Sequence, residues 1–168
     1  MASLPIVYAS TSGHTEYVVD TLIAFLKERL PSLVIGKKCV ELATATDLDG
    51  DFLILASSTW NTGGPEGQLN PHMYAFVYGP GKDVVLKGKK VAVIGLGDAR
   101  YYYTCRAAEH LEKYVKDHGG TVVAMMKIIN EPYGQEAKVR AWGEKLLEIL
   151  GNGEGNRIRI GIRDGSDR

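Results

Sequence analysis

Neither sign of charge dominates this chain. Lys plus Arg number 20, Asp plus Glu number 20, and the formal net charge is zero. That balance argues against binding nucleic acid or an anionic membrane through bulk charge. No apolar run approaches the length of a membrane span, and Met1–Pro5 lacks the basic segment and long apolar run of a secretory signal. The expectation is a cytoplasmic protein. Cysteine is scarce: Cys39 is expected on the second strand and Cys105 in the helix after the fourth. In a sheet ordered 2-1-3-4-5, roughly 14 Å would separate those strands. A disulfide needs Cα atoms within about 7 Å, so free thiols are expected. His14, His72, His110 and His118 are scattered, with no metal-ligand spacing. There is no Gly-x4-Gly-Lys-Ser/Thr, which excludes a P-loop. Gly95-Leu96-Gly97 follows a strand, but Arg100 stands at the third glycine position and no strand-end acid follows about 20 residues on, which argues against NAD there. Ser57 and Ser58 end the third strand where a receiver domain would need its phosphorylatable Asp.

What is present begins with Leu4–Ala9, an apolar run short enough for a buried strand. After it, Val18, Val19, Leu22, Ile23 and Leu26 recur at helical spacing. The stretch between them, Ser10-Thr11-Ser12-Gly13-His14-Thr15, is therefore a strand-to-helix turn at a helix N-terminus. Free backbone N–H groups and the positive end of the helix dipole suit an anion there. An ordinary N-cap needs one hydroxyl. Four hydroxyls and a Gly within six positions, with no Lys or Arg, fit a terminal monophosphate better than a triphosphate, whose greater charge usually needs a Lys and a metal ion.

Further along, the first helix is expected from about Thr15 to Arg29, stopping before Pro31. A less buried strand region covers 33–42, and one helical turn lies within Thr44–Gly50. Phe52–Ala56 and Val91–Ile94 are continuous apolar runs of the kind found in parallel sheets covered on both faces. Leu69–Val77 carries a weak helical pattern. Tyr102–His118 reads as a helix ended by Gly119-Gly120, Thr121–Ile129 as a fifth strand, and Gln135–Leu150 as an amphipathic helix with Val139, Trp142, Leu146 and Ile149 inward. Alternating strands and helices imply right-handed βαβ units and a parallel sheet, with ligands beyond the carboxyl ends of the strands. Residues 1–150 are expected to form one domain. Residues 151–168 are expected to be a Gly/Asn linker and a basic tail, either mobile or an added edge strand.

Three loops are rich at the ligand edge: Ser10–Thr15, Ser57–Gly67 and Gly95–Cys105. Trp60 and Tyr101 on adjacent loops can clamp a flat ring beside the phosphate. Ser10-Thr11-Ser12-Gly13-His14-Thr15-Glu16-Tyr17, Ser57-Ser58-Thr59-Trp60 and Gly97-Asp98-Ala99-Arg100-Tyr101-Tyr102-Tyr103-Thr104-Cys105 closely resemble the three FMN-binding loops of short-chain flavodoxins. The likeness covers about Leu4 to Leu150. Flavodoxins are the type example of strand order 2-1-3-4-5 with FMN at the switch point, so that placement comes with the resemblance. The resemblance implies a flavodoxin-like three-layer αβα sandwich on a five-stranded parallel sheet. It implies that Ser10, Thr11, Ser12, His14 and Thr15, with Ser58, hold the FMN phosphate, and that Trp60 and Tyr101 cover the two faces of the isoalloxazine. Backbone groups of Thr59, Asn61, Asp98 and Cys105 then meet its polar edge, with Gly13, Gly97 and Tyr103 completing the set. Asn61 sits where the family flips a peptide to hydrogen-bond N5 of the semiquinone.

The implied function is that of a low-potential one-electron carrier on tightly, non-covalently bound FMN. It would be monomeric and would not be an enzyme. Its partners would be a reductase donor and a flavodoxin- or ferredoxin-dependent acceptor. The alternative is a flavodoxin-like NAD(P)H:quinone reductase, which would need an open ring face beside a substrate pocket. Three departures from the family pattern stand out: His14 replaces the usual Asn, Asn61 a common Gly, and the chain is neutral where flavodoxins are acidic. Protonated His14 would strengthen FMN binding, an effect fading as pH rises. Arg157, Arg159, Arg163 and Arg168 against Asp164 and Asp167 leave a net +2 on residues 157–168 and −2 on 1–156.

Overall fold

The computed structural model describes residues 3–61 and 66–151. Its sheet contains β1 (Ser3–Ala9), β2 (Val34–Cys39), β3 (Phe52–Trp60), β4 (Gln68–Leu69), β5 (Lys90–Gly97) and β6 (Thr121–Ile129), and its helices are α1 (His14–Arg29), α2 (Pro71–Val77), α3 (Ala107–Asp117) and α4 (Glu136–Gly151). The parallel order is β2-β1-β3-β5-β6. It is the expected five-strand winding with one addition: β4 pairs antiparallel with the end of β3, Thr59 opposite Leu69 and Trp60 opposite Gln68. A two-residue strand is too short to leave an alternation signal in the sequence.

Period-two alternation distributes the sheet's side chains between two cores. Leu4, Ile6 and Tyr8 of β1, Phe52 and Ile54 of β3, and Ala92, Ile94 and Leu96 of β5 pack with α1 and α4. Val7 and Ala9, Leu53 and Leu55, and Val91 and Val93 pack with α2 and α3. The result is the three-layer αβα sandwich. α1 and α4 lie so close that a Cβ on Gly143 would sit 2.6 Å from the Phe25 ring. No helix among the described residues is long and apolar enough to cross a membrane. Cys39 and Cys105 are free thiols.

The largest departure from the sequence reading is the start of α3, at Ala107 rather than Tyr102. Cys105 has a left-handed backbone, φ 58°, which interrupts helical geometry. The loop is pinned at that point. The Cys105 thiol donates to the Ile128 carbonyl at 3.2 Å, and a Cβ on Gly97 would lie 2.2 Å from Cys105 N. The Ala107 N–H then finds its acceptor in Thr59 Oγ1, 3.0 Å away on β3. Cys105 consequently lies in the loop before the helix. Expectations for the tail and for Thr62–Pro65 fall outside the described residues.

Candidate functional site

The carboxyl ends of β1, β3 and β5 bring the three predicted segments to one edge of the sheet. The second starts as strand and not as loop: β3 runs past Ala56 to Trp60, because Ser57 and Ser58 pair with β5 and Thr59 and Trp60 with β4. At the first, Gly13 precedes α1 with φ 91°, a conformation glycine adopts without steric cost. This turn folds the hydroxyl loop back on the helix. The Glu16 N–H donates to Ser10 Oγ at 3.3 Å, and the Tyr17 N–H to the Gly13 carbonyl at 2.9 Å. Ser12 and Gly13 are exposed at the tip. Thr15 is 1% exposed, and its Oγ1 is buried without a hydrogen-bond partner. A hydroxyl left so costs roughly 1–3 kcal/mol, and this one lies in the first turn of the helix that the loop caps.

Ser58 joins this loop from β3 through a residue the sequence reading missed. Asn70 is fully buried, and its Nδ2 donates to Thr11 Oγ1 at 2.9 Å and to Ser58 Oγ at 3.1 Å. The Trp60 indole N–H donates to the same Ser58 oxygen at 2.9 Å. Asn70 before Pro71 was readable as an N-cap followed by a Pro at the first helical position. Its contacts to two other loops have no sequence signature.

His14 is turned toward the segment between β6 and α4, its ring edge-on to Tyr133 at 5.6 Å between centroids. Tyr17 meets the same Tyr133 ring at 4.8 Å. Glu16 is the acid of the first turn, and its charge is covered. The Tyr8 hydroxyl donates to it at 2.9 Å, and Lys37 Nζ lies 3.3 Å away. These contacts, Tyr8 first, hold the Glu16 carboxyl below the usual carboxylate range. Burial and the same hydrogen bond push the Tyr8 phenol up to about 12.

Beside the hydroxyl loop opens a cleft of about 390 Å³ lined by Thr59, Trp60, Asn61, Asp98, Tyr101, Tyr103 and Thr104. The structure thus brings six predicted ring-site residues together and adds Thr104. Gly97 and Cys105 sit behind this wall, where their close packing shapes the loop. Tyr103 is braced by Arg106, whose guanidinium carbon lies 4.3 Å from its ring centroid. The Asn61 side-chain oxygen accepts from the Gly67 N–H at 3.0 Å. Asp98 is the only acid lining the cleft among the described residues. Arg100 clasps it, with Nη2 at 2.6 Å and Nε at 3.0 Å. Those bonds hold the Asp98 carboxyl below its usual range.

The sequence profile of the flavodoxin family matches residues 6–142. The chain belongs to the flavodoxin family. It is 32% identical over 144 residues to the probable flavodoxin 2 of Bacillus subtilis strain 168, covering 81% of this chain and 87% of the relative. It is 31% identical over 153 residues to the flavodoxin of Maridesulfovibrio salexigens, covering 89% of this chain and all of the relative. Among solved structures, oxidised flavodoxin 1 from Bacillus cereus superposes with a TM-score of 0.76 at 26% identity, over 88% of this chain and 98% of that one.

The cofactor that goes with the flavodoxin family is FMN, and the residues present fit it. A loop of hydroxyls without Lys or Arg suits one terminal phosphate. In the first turn beside that loop the buried Thr15 hydroxyl has no hydrogen-bond partner within the protein. The adjoining cleft, lined by Trp60 and Tyr101, is of a size common for small-molecule sites.

Proposed function

We propose that this chain is a low-potential one-electron carrier that holds FMN tightly and non-covalently and turns over no substrate of its own. One observation carries the proposal: a buried, unpartnered Thr15 hydroxyl and an aromatic-lined cleft share one sheet edge. FMN, when bound, supplies one-electron chemistry at its ring. The chain's own residues bind it, orient it and keep water away. Ser10, Thr11, Ser12, Thr15 and Ser58 offer hydroxyl protons to the phosphate, and Gly13 and His14 lie at the helix N-terminus that the phosphate would face. Trp60 and Tyr101 cover the ring faces, with Tyr103 at the rim. Backbone groups of Thr59, Asn61 and Asp98 meet the polar edge, while Cys105, which the sequence also assigns to that edge, packs on Gly97 behind the wall and keeps the loop close. Covered faces leave a ring edge for exchange with redox partner proteins, a reductase donor and a flavodoxin- or ferredoxin-dependent acceptor. The protein works as a cytoplasmic monomer.

The charge pattern bears on the potential. Asp98 is paired with Arg100, so little uncompensated negative charge faces the reduced ring. A second potential less negative than that of an acidic flavodoxin follows. The test is anaerobic addition of NADH to FMN-loaded protein. The carrier keeps its colour until a reductase is added. Prompt bleaching by NADH alone would point to an NAD(P)H:quinone reductase. A protein that takes up no FMN would contradict any flavin function.

A further inference from the structure

We propose that Asn70 is a positioning residue that makes the Ser58 hydroxyl an obligatory phosphate donor and orients the Thr11 hydroxyl to donate to the same phosphate; this rests on the FMN reading above. A hydroxyl has one proton to give and two lone pairs to accept with. Ser58 Oγ accepts the Asn70 amide at 3.1 Å and the Trp60 indole N–H at 2.9 Å. Both of its acceptor places are filled, and only its proton remains for a ligand. Thr11 Oγ1 accepts the other Asn70 amide proton at 2.9 Å, which leaves its own proton free as well.

The direction of the amide is set by a group that can only donate. The His72 backbone N–H reaches Asn70 Oδ1 at 2.9 Å, so the oxygen must face His72 and the NH₂ must face the two hydroxyls. Asn70 is fully buried, with both side-chain protons and its oxygen engaged. Capping α2 requires only the oxygen, and Ser would serve as well. The two N–H contacts reach two other segments, the loop after β1 and the end of β3. They exceed what the helix needs. They orient donors toward an anion before it arrives, so binding it costs no reorientation there.

Phosphate-specific action has a signature. Full-length protein stripped of flavin is titrated with FMN and with riboflavin, which has the same ring and no phosphate. Asn70→Ser keeps the cap but removes both amide donors. It is expected to weaken FMN roughly tenfold while leaving riboflavin affinity unchanged. Combined with Thr11→Val, it should cost less than the product of the two single effects, because Asn70 acts through Thr11. Equal losses for both flavins, unchanged FMN affinity, or effects that multiply fully would overturn the proposal. Should Asn70→Ser fail to fold, Thr11→Val alone decides at an exposed position: it must weaken FMN and spare riboflavin, and an unchanged FMN affinity overturns the proposal. Wild-type protein that binds no FMN overturns the proposed function instead.

Discussion

Among the described residues the buried polar ones are Thr15, Ser57 and Asn70, and all three lie around the hydroxyl loop. At the other end of the site, Tyr101 and Tyr103 stand 49% and 41% exposed and Tyr102 85%. The phosphate end is a polar network assembled inside the fold, with hydrogen bonds linking the β1 loop, β3 and the start of α2. The ring end is a row of aromatics on a loop after β5, tied down behind by Cys105 and Gly97. Folding alone buries the first end, and on the proposed function FMN covers the second. Changes at the phosphate end should therefore discriminate between FMN and riboflavin, while changes at the ring end should affect both alike.

The sharpest way to break that contrast is Thr15→Val. It should cost about 1.5–3 kcal/mol of FMN affinity, as loss of a hydrogen bond to a charged group does, and spare riboflavin. Thermal melts of the flavin-free protein should show it gaining stability, since a buried hydroxyl without a partner is removed. An FMN affinity that survives the change would place the phosphate elsewhere. Next comes Tyr101→Ala, expected to cost about 1–3 kcal/mol through lost stacking and burial. Here the losses should match for the two flavins in parallel fluorescence titrations. An unchanged dissociation constant would remove Tyr101 from the clamp.

Smaller effects refine the ring end. Arg100→Gln strips the partner from Asp98, whose carboxyl stays ionised at neutral pH. A bare carboxylate beside the cleft disfavours the added negative charge of the reduced cofactor, so potentiometry should give a modestly more negative second potential. A shift in the other direction would contradict a role for this pair. Smallest is His14→Asn. The ring of His14 is committed to Tyr133, so FMN affinity measured from acid to alkaline pH should follow parallel curves in the two proteins. Curves that diverge at acid pH would support the charged role that the sequence suggests.

The legible parts of this molecule were those with a period or a dense local motif. Phe52–Ala56 and Val91–Ile94 announced buried parallel strands because both faces are covered. The hydroxyl loop was legible as the turn between β1 and α1, and the structure shows that turn, folded back through Ser10 and Gly13. Tyr101 was readable because large aromatics rarely stand on loops without a partner, whereas Trp60, read as a loop residue, closes β3 opposite Gln68 and reaches the cleft from a strand end. What stayed hidden depends on contacts between distant segments. The start of α3 is set by the packing of Gly97 on Cys105, and a helical pattern from Tyr102 onward gives no hint of it. Asn70 looks like a helix cap, and only the fold brings its amide to Thr11 and Ser58. The orientation of His14 depends on Tyr133, more than a hundred residues away in the chain.

The central claim is one-electron carriage on FMN, and an anaerobic redox titration of the FMN-loaded protein followed by absorbance tests it most directly. The account predicts two separated one-electron steps, the second at low potential. A single two-electron step would contradict it.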